Sequence, residues 1–143
     1  MHLVILTTAI TRGDFHKKSL GKFYNCFQKQ MEQMHISHII NLDCPEKLAS
    51  TYSKEQSLQL FETIIPKNVE LIIIPNENPG FLNAYKNVVN KAKYVQCKDE
   101  KVLYWWLEDD WEVIYLNEDF FSIIELFPFS QPYAFNSVQS SPL

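Results

Sequence analysis

Glu108, Asp109 and Asp110 stand in a row at the end of an apolar, aromatic run, VLYWWLEDDWEVI, from Val102 to Ile114. A short, continuously apolar run reads as a strand buried on both faces. Unpaired buried charge is costly, so the three carboxylates are expected at the strand's carboxyl end, in a crevice, facing a cation or a polar ligand. In open α/β sheets that edge is where ligands bind. Hard divalent ions such as Mg²⁺ and Mn²⁺ take oxygen ligands, commonly one or two carboxylates plus substrate phosphates. The segment therefore suggests a metal-bound substrate that carries a diphosphate. The plainer alternative is a solvated acidic turn.

Other polar residues fall where strands should end. Arg12 follows the first apolar stretch, Asp43 the second, and Asn76 and Asn78 the third, before a helix that carries Asn87. A planar guanidinium suits phosphate or base recognition, although a loop cation is the bland reading of Arg12. Asp43, two residues before Pro45, is also a plain turn former, and Asn87 an exposed helix residue. His35 and His38 should point to opposite faces of a strand, which argues against a metal site there. Trp105 and Trp106 read as core, whereas Trp111, beyond the acids, has the better claim to line a pocket. Cys44 reads as a small buried residue rather than a nucleophile.

The elements that must position these residues follow from periodicity. Residues 3–8, 37–42, 69–74 and 102–107 read as apolar strands, the third ended by Pro75. Residues 15–34 place Leu20, Phe23, Tyr24, Phe27, Met31 and Met34 at helical spacing. Residues 53–65 read as a helix with Ser53 and Gln56 in a capping-box pattern. A helix over 81–94, a short one over 119–127 and a fifth strand over 133–138 complete the series. Strands alternating with helices imply an α/β fold with three layers and a mostly parallel sheet. Such a sheet brings the polar ends of strands one to four to one edge.

Composition narrows the rest. A length of 143 residues favours a single domain over 1–143, and 46% hydrophobic residues supply a core. The net charge of −4 offers no electrostatic case for nucleic acid. Gly13, Gly21 and Gly80 form neither a dinucleotide fingerprint nor a phosphate-binding loop, so a bound nucleotide would need another route, such as a metal on Asp110. Cys26, Cys44 and Cys97 are odd in number and widely spaced, which fits a reducing compartment and a cytoplasmic location. The apolar start of the chain is too short for a signal peptide or a membrane span.

Leu107-Glu-Asp-Asp-Trp-Glu-Val-Ile114, followed by Glu118-Asp-Phe-Phe121, resembles the Glu-Asp-Asp segment of the N-acetylglucosaminyltransferase I family and, more broadly, the metal-dependent glycosyltransferases of the GT-A fold. Leu42-Asp-Cys-Pro-Glu46 is similar to the family's Asp-Cys after its second strand, and Gly80-Phe-Leu-Asn-Ala-Tyr-Lys-Asn87 to its helix after the third. The resemblance spans about residues 3–127. It implies an enzyme that transfers a sugar from a nucleoside diphosphate donor, a UDP-sugar first, to a hydroxyl of a glycan or other acceptor, with inversion. Asp110 would hold Mn²⁺ or Mg²⁺. Glu108 and Asp109 would bind the ribose or donor sugar, Asp43 and Arg12 the base and ribose, and Asn87 would replace a base-contacting histidine. The family's acceptor-binding half and general base are not expected within these residues, so a catalytic residue stays unassigned and a homodimer would be one way to complete the site. A non-catalytic nucleotide-sugar-binding remnant and a sugar nucleotidyltransferase are the rival readings.

Overall fold

A computed structural model describes residues 1–44, 53–76, 78–97 and 101–113. Within them, β1 (His2–Ile10), α1 (Lys22–Met31), β2 (His35–Asp43), α2 (Lys54–Ile64), β3 (Val69–Asn76), α3 (Phe81–Ala92) and β4 (Val102–Trp106) alternate along the chain. The strands form one all-parallel sheet in the order β3-β2-β1-β4. This is the expected α/β arrangement. The expected helix over 119–127 and strand over 133–138 lie outside the described residues.

The period-two alternation of the strands divides the core between two faces. Leu3 and Ile5 of β1 and Ile36, Ile40 and Leu42 of β2 pack with Phe23, Tyr24, Phe27 and Met31 of α1 and Phe61 of α2. Val4, Leu6 and Ile39 point the other way, onto Val88 and Ala92 of α3. Helices therefore cover both faces, which is why β1 is buried from His2 to Ala9. Phe23 and Phe61 are almost wholly buried. Truncating either to Ala would cost about 3–5 kcal/mol.

Local chemistry sets the element ends. The capping box of α2 is complete: the Gln56 backbone N–H donates to Ser53 Oγ at 3.2 Å, and the Ser53 N–H donates to Gln56 Oε1 at 2.8 Å. The single helix expected over 15–34 is instead a π-helical turn, Lys17–Gly21, running into α1. The apolar stripe survives this because Phe23, Tyr24, Phe27 and Met31 keep their spacing within α1.

Two strand expectations are corrected. Pro75 does not end β3, which continues to Asn76 with Leu42 paired to Pro75 and Asp43 to Asn76. A proline is tolerated there because β3 lies at the end of the described sheet. The fourth strand is not central among the described residues either. β4 pairs with β1 at the opposite end, and Tyr104 is 54% exposed. Trp105 packs edge-on against Phe23 and Phe27, but both tryptophans of β4 are only half-buried. Among the described residues no helix is long and apolar enough to cross a membrane.

Candidate functional site

Parallel pairing in register brings the carboxyl ends of β1, β2 and β3 level, with Ile10 beside Asp43 and Asp43 beside Asn76. The Leu107 N–H donates to Leu6 O at 2.9 Å, carrying the β4 backbone past its last strand residue and setting Glu108 near Thr8. A cleft of about 140 Å³ opens at this edge, lined by Thr8, Ala9, Ile10, Arg12, Asp43, Phe81, Ala84, Glu108, Asp109 and Asp110. Five of the six candidate residues thus meet in one place. Asn87 stands behind it, its Nδ2 donating to Asn41 Oδ1 at 2.9 Å.

Asp43 is buried and fully engaged. Its Oδ1 accepts from Asn41 Nδ2 and Asn76 Nδ2, both at 2.8 Å, and its Oδ2 accepts from the Gly80 backbone N–H at 3.0 Å. One carboxylate therefore ties β2, β3 and the start of α3 together. Gly80 adopts φ 148°, a conformation that L side chains rarely take, so the backbone itself, and not crowding, favours glycine at the start of α3.

The three acids after β4 are not alike. Glu108 accepts from Thr8 Oγ1 at 2.8 Å through Oε2 and from Trp106 Nε1 through Oε1. Asp109 is 3% exposed, against the expectation that none of the three could be buried. Partners supplied by β1 and the loop after it allow this. Its Oδ2 accepts the Ile10 backbone N–H at 3.2 Å and lies 3.4 Å from both Arg12 Nε and His16 Nε2. Desolvation is the main influence and raises the Asp109 carboxyl to about 6; the neighbouring Asp110 and Glu108 push the same way, while the Ile10 N–H and Arg12 oppose it. Burial, with Arg12 nearby, lowers His16 to about 4, and its ring stacks on Phe61 at 4.9 Å. Asp110 is exposed in the cleft mouth, with Arg12 Nη1 at 3.9 Å from its Oδ2.

Sequence reasoning missed three contributors. Asn41 had a readable signal: it is the one amide within the apolar run IINL, two residues before Asp43 and so on the same face of β2. Thr8 had a weaker one, as the last hydroxyl of the first strand. His16 had only a faint one: within the helix expected over 15–34 it stands four residues before Leu20, in line with the apolar stripe. Two other expectations change. Trp111 is exposed and outside the cleft lining. Asn78 serves a local turn with Asn76 rather than the cleft. His35 and His38 do face opposite ways. His38 is enclosed between Thr7 Oγ1 at 2.8 Å and Tyr24 OH at 2.6 Å, and burial lowers it to about 3, so its ring is a neutral, satisfied link. Cys26, Cys44 and Cys97 are free, and partial burial is the main effect pushing the Cys44 thiol up, which leaves it a poor nucleophile.

Comparison with known protein families, curated proteins and solved structures gives no match for this chain. Among the described residues no group of three or more His, Cys, Asp or Glu side chains is arranged to hold a metal ion. Among the described residues, the carboxylate left facing the cleft mouth is Asp110, with a 3.9 Å ion pair to Arg12. A single carboxylate fits Mg²⁺ or Mn²⁺ when phosphate oxygens of a substrate complete the shell, and fits poorly without them.

Proposed function

We propose that this chain is the nucleotide-sugar-binding part of a metal-dependent glycosyltransferase of the GT-A type, taking a nucleoside diphosphate sugar in the cleft. The observation that carries the reading is the convergence of Arg12, Asp43, Glu108, Asp109 and Asp110 from three strand ends on one crevice. Four carboxylates against one guanidinium would repel a diphosphate, so an anionic donor needs a cation brought with it. Asp110 is the residue to hold it. Mn²⁺ or Mg²⁺ there would neutralise charge developing on the departing nucleoside diphosphate. Glu108, held by Thr8 and Trp106, would accept from ribose or sugar hydroxyls only through its remaining lone pairs. Arg12 would face the phosphates or ribose. Asp43, with both oxygens already engaged, shapes the base side of the cleft by holding Gly80 and Asn76.

Calorimetry with a panel of donors, UDP-sugars first, tests the reading. Binding is expected with Mn²⁺ and lost with chelator; equally tight binding in chelator refutes the metal role.

One observation favours a second reading, a binding domain without turnover. Glu108 and Asp109 are committed to protein partners, which leaves no described carboxylate in the cleft except Asp110 to take a proton from an acceptor hydroxyl. General-base catalysis needs such a group within hydrogen-bond reach. A product assay with labelled donor and simple glycan acceptors separates the two: weak or no transfer is expected from this chain alone, and robust transfer by a monomer would require a base within it.

A further inference from the structure

Arg12 occupies an unusual position for a residue meant to meet an anion. Its guanidinium is turned onto the acids, with Nε 3.4 Å from Asp109 Oδ2 and Nη1 3.9 Å from Asp110 Oδ2, in the lining of the same cleft. The second nitrogen group near Asp109 does not share this duty. His16 Nε2 is buried, finds no hydrogen-bond partner, and lies 3.4 Å from the same Oδ2. Among the described residues, Arg12 is therefore the fixed positive charge that faces this pair of acids. Arg12 is itself partly exposed, and its hold on Asp110 is the longer of the two contacts, so that end is the one that can let go.

We propose that Arg12 is the resident counter-cation of the cleft, standing on Asp110 in the ligand-free protein and displaced when a divalent ion takes that carboxylate. This rests on the metal-binding reading above and adds to it an exchange. The guanidinium and the ion exclude one another on Asp110, because like charges in contact repel and one carboxylate face cannot serve both. Once released from Asp110, Arg12 stays anchored near Asp109 and presents its outer nitrogens to an anion arriving with the ion. The cleft would then bind cation and diphosphate cooperatively, each weak alone.

The experiment uses Mn²⁺ alone and Mn²⁺ with inorganic pyrophosphate, titrated into the full chain and into Arg12→Gln and Arg12→Lys, with bound Mn²⁺ read by electron paramagnetic resonance. Without pyrophosphate, Arg12→Gln should bind Mn²⁺ roughly fivefold more tightly than wild type, the scale of an exposed ion pair, while Arg12→Lys stays near wild type. With pyrophosphate the order should reverse, wild type binding more tightly than Arg12→Gln. Thermal midpoints of the variants check that the fold is intact. If wild type binds Mn²⁺ with pyrophosphate but Arg12→Gln matches it in both conditions, the exchange is wrong and the metal reading stands. If Arg12→Gln binds Mn²⁺ more weakly than wild type without pyrophosphate, Arg12 supports the ion rather than competing with it and the proposal falls. If no protein binds Mn²⁺ under either condition, both the exchange and the metal reading fall.

Discussion

Asp43 and Asp109 are both buried carboxylates at strand ends on one sheet edge, yet their surroundings differ in kind. Asp43 meets three N–H donors from three elements, all within 3.0 Å. Asp109 meets one backbone N–H at 3.2 Å and two looser nitrogens at 3.4 Å, beside two further acids. The first charge is matched and holds the fold together. The second is under-matched, and burial pushes its carboxyl up to about 6. A buried carboxylate is therefore informative only through its partners: donors in good geometry mark a structural joint, and crowded acids mark a place kept for something else.

The comparison breaks most visibly at Asp43. Asp43→Ala leaves Asn41 Nδ2, Asn76 Nδ2 and the Gly80 N–H without their acceptor, and should destabilise the protein by about 3 kcal/mol or more, since a hydrogen bond to a charged group is worth about 1.5–3 kcal/mol. Urea denaturation measures this; a loss below about 1 kcal/mol would show that the start of α3 is held by other means.

Asp109→Asn should act in the opposite direction. It keeps an acceptor for the Ile10 N–H and removes a desolvated charge, so stability near pH 7.5 should rise by up to about 2 kcal/mol. The pH dependence sharpens the point. A carboxyl raised to about 6 from 3.8 contributes stability fully present below pH 3.8 and lost as pH climbs through about 6. His16 and His38, lowered to about 4 and about 3 from 6.5, contribute stability present above pH 6.5 and lost as pH falls. In wild type these trends oppose one another between pH 4 and 6. Asp109→Asn removes the compensating trend, so its stability should fall more steeply on acidification than that of wild type. Thermal midpoints recorded from pH 7.5 down to pH 4.5 provide the check, and parallel curves would show that Asp109 is not the raised group.

The smallest effect belongs to Asp110. Its side chain is exposed and makes one long ion pair, so Asp110→Asn without metal should change stability by no more than about 0.5 kcal/mol, holding or rising slightly. With Mn²⁺ and donor, wild type should gain stability through linkage and the variant should not. Unfolding of Asp110→Asn would make the carboxylate structural and remove the basis of the metal assignment.

The sheet and its functional edge were legible because apolar runs and their polar terminators are local signals. Arg12, Asp43 and the acids after Trp106 were found from the ends of such runs, and the Ser53–Gln56 capping box from its spacing. What escaped depends on strand order and on partners distant in sequence. Nothing in VLYWW tells a strand at the end of the described sheet from a central one, so β4 was expected to be buried on both faces. The burial of Asp109 depends on Ile10, Arg12 and His16, which lie far from it along the chain. For Asn87 the ligand role came from the family resemblance alone, and its hydrogen bond to Asn41 could not be read from the helix pattern.

Pro75 has a consequence for how molecules of this protein meet one another. β3 ends one side of the described sheet, and an open strand edge can recruit a strand from a neighbouring chain. Such recruitment needs an uninterrupted ladder of N–H groups. Proline lacks one, and near the other end of β3 the exposed Glu70 carboxylate is kept in place by the hydroxyl of Ser37 at 2.7 Å. A missing donor at one end and a charge at the other make this flank a poor template for edge-to-edge polymerisation, and Pro75→Val would be the change to restore it.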